Sequence, residues 1–385
     1  MIAINRTVHP RNAWHSVLGQ RDFRLLALSE TLWLLGSQFY ALALPWLVMK
    51  LTGDVGVLGM LYVLVAIPRL SLTTVGGVLC DRFSLKTLMV MAAATRTIHL
   101  ALLAWFVLSG HSSTWVLYVF GFAYGVMEAF FHPARRTAVP LLAGTKDLPL
   151  ANVITYGIEQ AMGFVGPVLA GVTIAWLGAG TLEADTRGIG LAFGLDAVLT
   201  LAAVLALCAL RPLAPIGTIS STTPIGSEPA EPGVLASLWA GIRHAWGHRE
   251  TRTLVLMLAA LNLFLISPVV LGVPWLVEHR LEGGSATLGL LMSGLAGGAL
   301  LGTALAGSLP RLNSRQMWPV FIAVSGLGVL ALAVLAVSSS VLLGVFSTTL
   351  IGAGLGYLTV TATTWLQECT PPALMGRTMS LLSMK

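Results

Sequence analysis

An all-α membrane protein, a bundle of helices crossing a bilayer, is the fold class this sequence predicts, and three observations predict it. Hydrophobic residues make up 56% of the 385 residues and charged residues only 10%, where a soluble domain carries roughly 25% charged residues. Mean hydropathy is +0.84. The apolar residues fall in long runs, and lysine and arginine collect in short segments between them.

The runs define the elements. A hydrocarbon core of about 30 Å takes roughly 20 helical residues. Runs of that length lie near 25–48, 57–79, 87–109, 114–133, 151–178, 188–210, 253–276, 286–308, 317–337 and 341–364. The first is too long for a cleavable signal and lacks a cleavage site. Orientation follows from the basic residues. With the N-terminus inside, inner segments hold Arg21, Arg24, Arg82, Lys86, Arg135, Arg136, Arg211 and Arg252, among others. Outer segments hold only Lys50, Arg187 and Arg280. The positive-inside rule therefore predicts a multi-pass protein of the cell's inner membrane with a cytoplasmic N-terminus.

The longest connection divides the chain into a six-helix half (1–210), a cytoplasmic linker (211–252) and a second half (253–385). Pro212 to Gly233 is rich in Pro, Ser, Thr and Gly, the composition of a flexible linker. Leu235, Leu238, Trp239, Ile242 and Trp246 then recur at helical spacing, which predicts an amphipathic helix on the inner membrane surface. The halves echo each other: Gly77 to Asp81 follows the second span, and Gly307 to Arg311 follows the eighth.

Several functions are excluded. No zinc finger or arginine-rich tract points to nucleic acid; the net charge of +6 is carried largely by the loops between spans. No phosphate-binding loop, nucleophile elbow or zinc-protease pair is present, so the chain is not read as an enzyme and needs no cofactor. Cys80, Cys208 and Cys369 are isolated and form no metal or disulfide pattern.

Between spans two and three stands Gly76-Gly77-Val-Leu79-Cys-Asp81-Arg82-Phe-Ser84-Leu85-Lys86. Gly77, Leu79, Asp81, Arg82 and Lys86 resemble the signature loop of the major facilitator superfamily, with Ser84 in place of its glycine and Leu85 in place of a base. The resemblance extends over most of the chain from about residue 20. It implies a six-plus-six helical bundle that transports a small molecule by alternating access, and a gating role for Gly77, Asp81, Arg82 and Lys86 as an ionic latch. Only about four of the six C-terminal spans are visible. The second half is thus expected to be incomplete and the chain a fragment of a longer reading frame, the alternative being a non-transporting membrane protein. Gly163, Gly166, Pro167 and Gly171 resemble the fifth-helix motif of the exporter branches. Ile67-Pro68-Arg69 and Phe131-His132-Pro133-Ala134 resemble the drug- and siderophore-exporter-like branch. Export follows as the expected direction, with import or facilitation as the rival.

Ionisable residues inside apolar spans cost roughly 2.5–3.5 kcal/mol each at mid-membrane, so they need partners or a wet cavity. They are Glu30, Arg69, Arg96, His99, Glu128, His132, Glu159 and Asp196, all in the first half. Helical rise puts Glu30, Glu128 and Glu159 in one layer of the inner half, with Arg69 and Arg96 near mid-membrane and Asp196 nearer the outer face. Glu30, Arg69, Arg96, Glu128, Glu159 and Asp196 are the candidates for coupling to a proton or ion gradient; a fixed structural ion pair is the competing reading. Gln38, Tyr40, Tyr156, Gln160 and Asn262 are candidates for a substrate cavity. The expected partners are a small hydrophobic or amphiphilic solute and membrane lipid, with the protein acting as a monomer. Gly294, Gly298 and Gly302, and Gly352 with Gly356, form small-residue ridges for close helix packing.

Overall fold

The computed structural model describes residues 17–82, 84–178, 182–211, 249–309 and 314–369. Ten of its helices are long and apolar enough to cross a membrane. They are α1 (Arg21–Thr52), α2 (Val55–Arg82), α3 (Leu85–Leu108), α4 (114–143), α5 (145–177), α6 (Leu182–Cys208), α7, α8 (Gly284–Ser308), α9 (Ser314–Val337) and α10 (Val341–Cys369). Helix α7 runs from Arg249–Leu261 through a π-helical turn, Asn262–Ile266, into Ser267–His279. The linker residues 212–248, which include the expected amphipathic helix, lie outside the described residues.

Every expected span is present, and the largest difference is between the fourth and fifth. In place of a loop over 134–150, helix continues on both sides of a single non-helical residue, Gly144, at φ 69° and ψ 166°. That conformation is open essentially to glycine alone. The residues before it, Ala134 to Ala143, keep a helical backbone past the end of the apolar run.

The helices group into two compact units. One holds most of α1 to α6; the other holds α7 to α10, together with Val48–Gly59 and Pro167–Ala175. In the first, Phe23, Leu26 and Trp33 of α1 pack with Leu85 and Met89 of α3, Phe131 and Ala138 of α4, and Leu207 of α6, all buried. Lipid is as apolar as these side chains, so close packing and internal polar contacts hold such a core together more than water exclusion does. Near its edge, Lys86 Nζ donates to the carbonyls of Cys208 (2.7 Å) and Leu210 (2.5 Å). A cation on the last carbonyls of α6 is the favourable sign for a helix C-terminus. Arg21 donates to the Ala209 carbonyl as well, at 3.4 Å.

In the second unit α8 and α10 cross at their glycines. A Cβ on Gly298 or Gly302 would overlap the carbonyls of Thr349 and Ala353, and one on Gly352 or Gly356 would overlap those of Leu295 and Ala299. Backbones approach this closely only where side chains are missing. Lys50 and Glu278 form an ion pair at 3.0 Å in the same unit. Large apolar side chains such as Trp176, Val337 and Leu342 are exposed, as expected of surfaces that face lipid.

Candidate functional site

Each polar side chain buried among these helices has to be accounted for, because an unpaired charge in an apolar interior is expensive. Arg96 of α3 is fully buried, as is Asp196 of α6. Its Nη2 donates to both carboxylate oxygens of Asp196, at 3.2 and 3.1 Å. Nη1 donates to Ser37 Oγ of α1 at 2.9 Å and stands 3.8 Å from Glu128 Oε1 of α4. Thr200 Oγ1 donates to Asp196 at 3.2 Å. The guanidinium also lies over the Trp33 ring, 4.2 Å from its centroid, in cation–π contact. One arginine thus ties together α1, α3, α4 and α6. His99, one turn further along α3, is buried and packs on Phe120.

A second cluster forms around Arg135 of α4. Arg135 donates to Glu30 of α1, a buried carboxylate, and its Nη2 stands 3.8 Å from Glu159 of α5. The Glu159 side chain is 48% exposed. The three acids expected in one layer are therefore divided: Glu30 and Glu159 share Arg135, while Glu128, about 10 Å away along α4 by helical rise, belongs with Arg96. Between the clusters, Trp33 and Phe131 stack at 3.6 Å with their planes 5° apart. On α1 the order is Glu30, Trp33, Ser37; on α4 it is Glu128, Phe131, Arg135. Both helices place an aromatic ring between a residue of one cluster and a residue of the other.

Beside the Arg96 cluster lies a cavity of about 410 Å³ walled by α1, α2 and α4. It brings together four sequence candidates, Gln38, Tyr40, Arg69 and Glu128, and adds Ser37, Tyr62 and Tyr124. Tyr40 and Tyr124 stack at 3.9 Å. Tyr156, Gln160 and Asn262 do not line this cavity; Tyr156 and Gln160 are exposed on α5, and Asn262 opens the π-helical turn of α7, where its carbonyl accepts from Ser267 Oγ.

The fifth-helix motif divides by neighbour. A Cβ on Gly166 would collide with the Gln38 side chain, and one on Gly171 with the Ser285 carbonyl and Gly289, whereas Gly163 has open space. Pro167 brings no N–H of its own, and the next amide, that of Val168, donates to Ser293 Oγ of α8 at 3.1 Å. Of the gating residues, Gly77, Asp81 and Arg82 have side chains outside the described set, as does His132. Lys86, expected to pair with an acid on a neighbouring loop, instead caps α6. Among the described residues no three His, Cys, Asp or Glu side chains converge as a metal site.

Arg135 is the functional candidate that sequence reasoning missed. Ending span four at 133 made it a loop residue. Its signal was spacing: seven residues after Glu128, it repeats the same face of the helix two turns on. Ser37 and Trp33 lie within the first apolar run and gave no sign of their partner.

Ten helices long and apolar enough to cross a membrane, with buried charge clusters and a walled cavity among them, define a multi-pass membrane protein. The family model of the Major Facilitator Superfamily matches residues 26–384, and the chain belongs to that family. It is 24% identical over 355 residues to the enterobactin exporter EntS of Shigella boydii serotype 4 (strain Sb227), covering 92% of this chain and 79% of that protein. It is 26% identical over 360 residues to the EntS of Citrobacter koseri, with the same coverage. Among solved structures, the nucleoside transporter NupG (D323A mutant) superposes with a TM-score of 0.71 at 13% identity, covering 94% of this chain and 87% of that one. A bacterial homologue of the iron transporter ferroportin, in an inward-facing state, gives 0.66 at 20% identity over 94% and 88% of the two chains.

Proposed function

We propose that this transporter exports a hydrophobic or amphiphilic small molecule in exchange for protons. In this reading the chain alternates access by rocking its two halves, 1–210 and 253–385, joined by the cytoplasmic linker 211–252, with the N-terminus in the cytosol and the protein working as a monomer. Export is supported by the exporter relatives. The basic inner segments support the orientation. Asp81, Arg82 and Lys86 serve as the gate, and the Gly163 to Gly171 stretch as the closely packed hinge surface.

The observation that carries proton coupling is the sharing of Arg135 between a buried acid, Glu30, and a half-exposed one, Glu159. A carboxylate that gains a proton releases its hold on the arginine, and the arginine then belongs to the other acid. Glu128, Asp196, Arg69 and Arg96 form a second stage next to the cavity, in which the sealed Arg96–Asp196 pair takes part only when the helices move. One proton moving inward across 100 mV releases about 2.3 kcal/mol, enough for roughly fifty-fold accumulation of a solute.

Everted membrane vesicles test this with ethidium as the probe amphiphile. An inward-acid gradient is expected to drive ethidium uptake, a protonophore to abolish it, and Glu30→Gln or Glu159→Gln to weaken its dependence on the gradient. Uptake that ignores the gradient in the unaltered protein would reject coupling and leave a facilitator. Ethidium movement only in the opposite sense would make the protein an importer.

A further inference from the structure

Helix α5 carries polar side chains on a surface that no neighbour covers. Asn152, Tyr156, Glu159 and Gln160 are all exposed. At about 100° per residue they share one face of the helix, within a sector of roughly 100°. Gly163 continues that face, and a Cβ on it would meet nothing within 4 Å. The other exposed surface of α5, at Val153, Phe164 and Leu169, is apolar. A helix that faces only lipid needs only the second kind of surface, and from Ile322 to Val337 every exposed residue of α9 is of that kind. A carboxylate turned into lipid is costly, so the polar face of α5 belongs to a water-filled path. The face stops at Gly166, which is buried and where a Cβ would collide with Gln38 of α1. A solute therefore reaches it from the end of α5 that follows Gly144, the cytoplasmic end on the topology proposed above.

We infer that this face of α5 binds an aromatic cation, with its positive group at Glu159 and its ring on Tyr156. The sign follows from exposure. Among the described residues the cation within 4 Å of Glu159 is Arg135, whose side chain is only 10% exposed and donates to Glu30, whereas that of Glu159 is 48% exposed. The charge presented to a solute is thus the acid. Arg135 Nη2 stands 3.8 Å from Glu159, too far for a hydrogen bond, so an ammonium arriving at the carboxylate displaces none. Tyr156 lies three residues before Glu159, a spacing that makes side chains neighbours on a helix. The carboxylate takes the charge, and the tyrosine face takes the ring by stacking or the ammonium by cation–π contact. Asn152 and Gln160 add neutral hydrogen-bonding groups on the same face. The site is separate from the cavity walled by α1, α2 and α4, which none of these four residues lines. Ethidium, the transport probe, is a cation of this class. Calling the cation a transported substrate rests on the transport reading above; its binding does not.

Calorimetric titration of the purified full chain in detergent separates the two questions, since it needs no gradient. The probe is naphthylmethylammonium. It is compared with naphthylmethanol and naphthylacetate, which keep the ring but are neutral and negative, and with cyclohexylmethylammonium, which keeps the charge but lacks the aromatic ring. Naphthylmethylammonium is expected to bind ten-fold or more tightly than naphthylmethanol and naphthylacetate, and several-fold more tightly than cyclohexylmethylammonium. Glu159→Gln should bring it within two-fold of naphthylmethanol. Tyr156→Ala should bring it within two-fold of cyclohexylmethylammonium, and Tyr156→Phe should keep the unaltered affinity within two-fold. The inference is overturned if naphthylmethanol or naphthylacetate binds as tightly as naphthylmethylammonium, if none of the four binds, or if Glu159→Gln leaves the ten-fold preference intact. The ligand series on the unaltered protein decides the matter even if a variant fails to fold. Selective binding without gradient-driven ethidium uptake would keep the site and reject the transport reading; driven uptake without selective binding would do the reverse.

Discussion

The Arg96 and Arg135 clusters use the same chemistry in different surroundings. Arg96 and Asp196 have no exposed side-chain surface, whereas the Arg135 chain ends on Glu159, which is 48% exposed. A sealed pair cannot exchange protons with water without moving helices; an open one can. On the coupling proposed above, burial rather than residue type would make the first a lock and the second a switch, since both contain an arginine between carboxylates.

Breaking the lock should have the largest effect. Asp196→Asn leaves the Arg96 charge without its main partner, and such a loss is worth about 3–5 kcal/mol. The variant is expected to melt well below the parent in detergent and to accumulate poorly in membranes. Replacing both members, Arg96→Met with Asp196→Leu, should restore much of that melting temperature, because no buried charge is stranded; a double variant as unstable as the single one would contradict the account. Trp33→Leu comes next. It removes the stack on Phe131, worth about 0.5–1.5 kcal/mol beyond area burial, together with the cation–π contact to Arg96. Its melting temperature should fall less than that of Asp196→Asn, and Trp33→Phe should recover part of the difference. Lys86→Met should have an intermediate to small effect, since hydrogen bonds from a charged donor contribute about 1.5–3 kcal/mol when buried and these sit at a helix end near the surface.

The smallest stability effect is expected at the open end. Glu159→Gln should change the melting temperature by little, in line with exposed pairs worth about 0–1 kcal/mol, while it weakens the pH-gradient dependence of vesicle uptake. If Glu159→Gln proved as destabilising as Asp196→Asn, the contrast between lock and switch would collapse.

The comparison also shows what the sequence could convey. The spans were legible because each long apolar run has one stable solution in lipid. The ionisable candidates were legible for the opposite reason: Glu30, Arg96 or Asp196 in such a run is a costly exception that stands out at once. Their partners were not. Arg96 and Asp196 are separated by 100 positions, and no periodicity relates α3 to α6. The single acidic layer dissolved because α4 stays helical past the apolar run, as far as Gly144, so counting depth from residue 133 put Glu128 too near the inner end. Arg135 was hidden by the very rule that oriented the chain, which assigns basic residues flanking a span to the loops. The cavity was out of reach too, since its lining from α1, α2 and α4 comes together only when those helices pack.

The joint at Gly144 carries a mechanical consequence. Two long helices meet there with no loop between them, and all of the change in direction falls on the torsions of one residue. Such a joint has no slack, so a tilt of α4 is handed to α5 much as a crank turns its shaft. A Cβ at Gly144 would meet no neighbouring atom within 4 Å. Gly144→Ala would therefore act on the axle alone, stiffening or displacing it through backbone strain while every packed surface of the two arms stayed as it is.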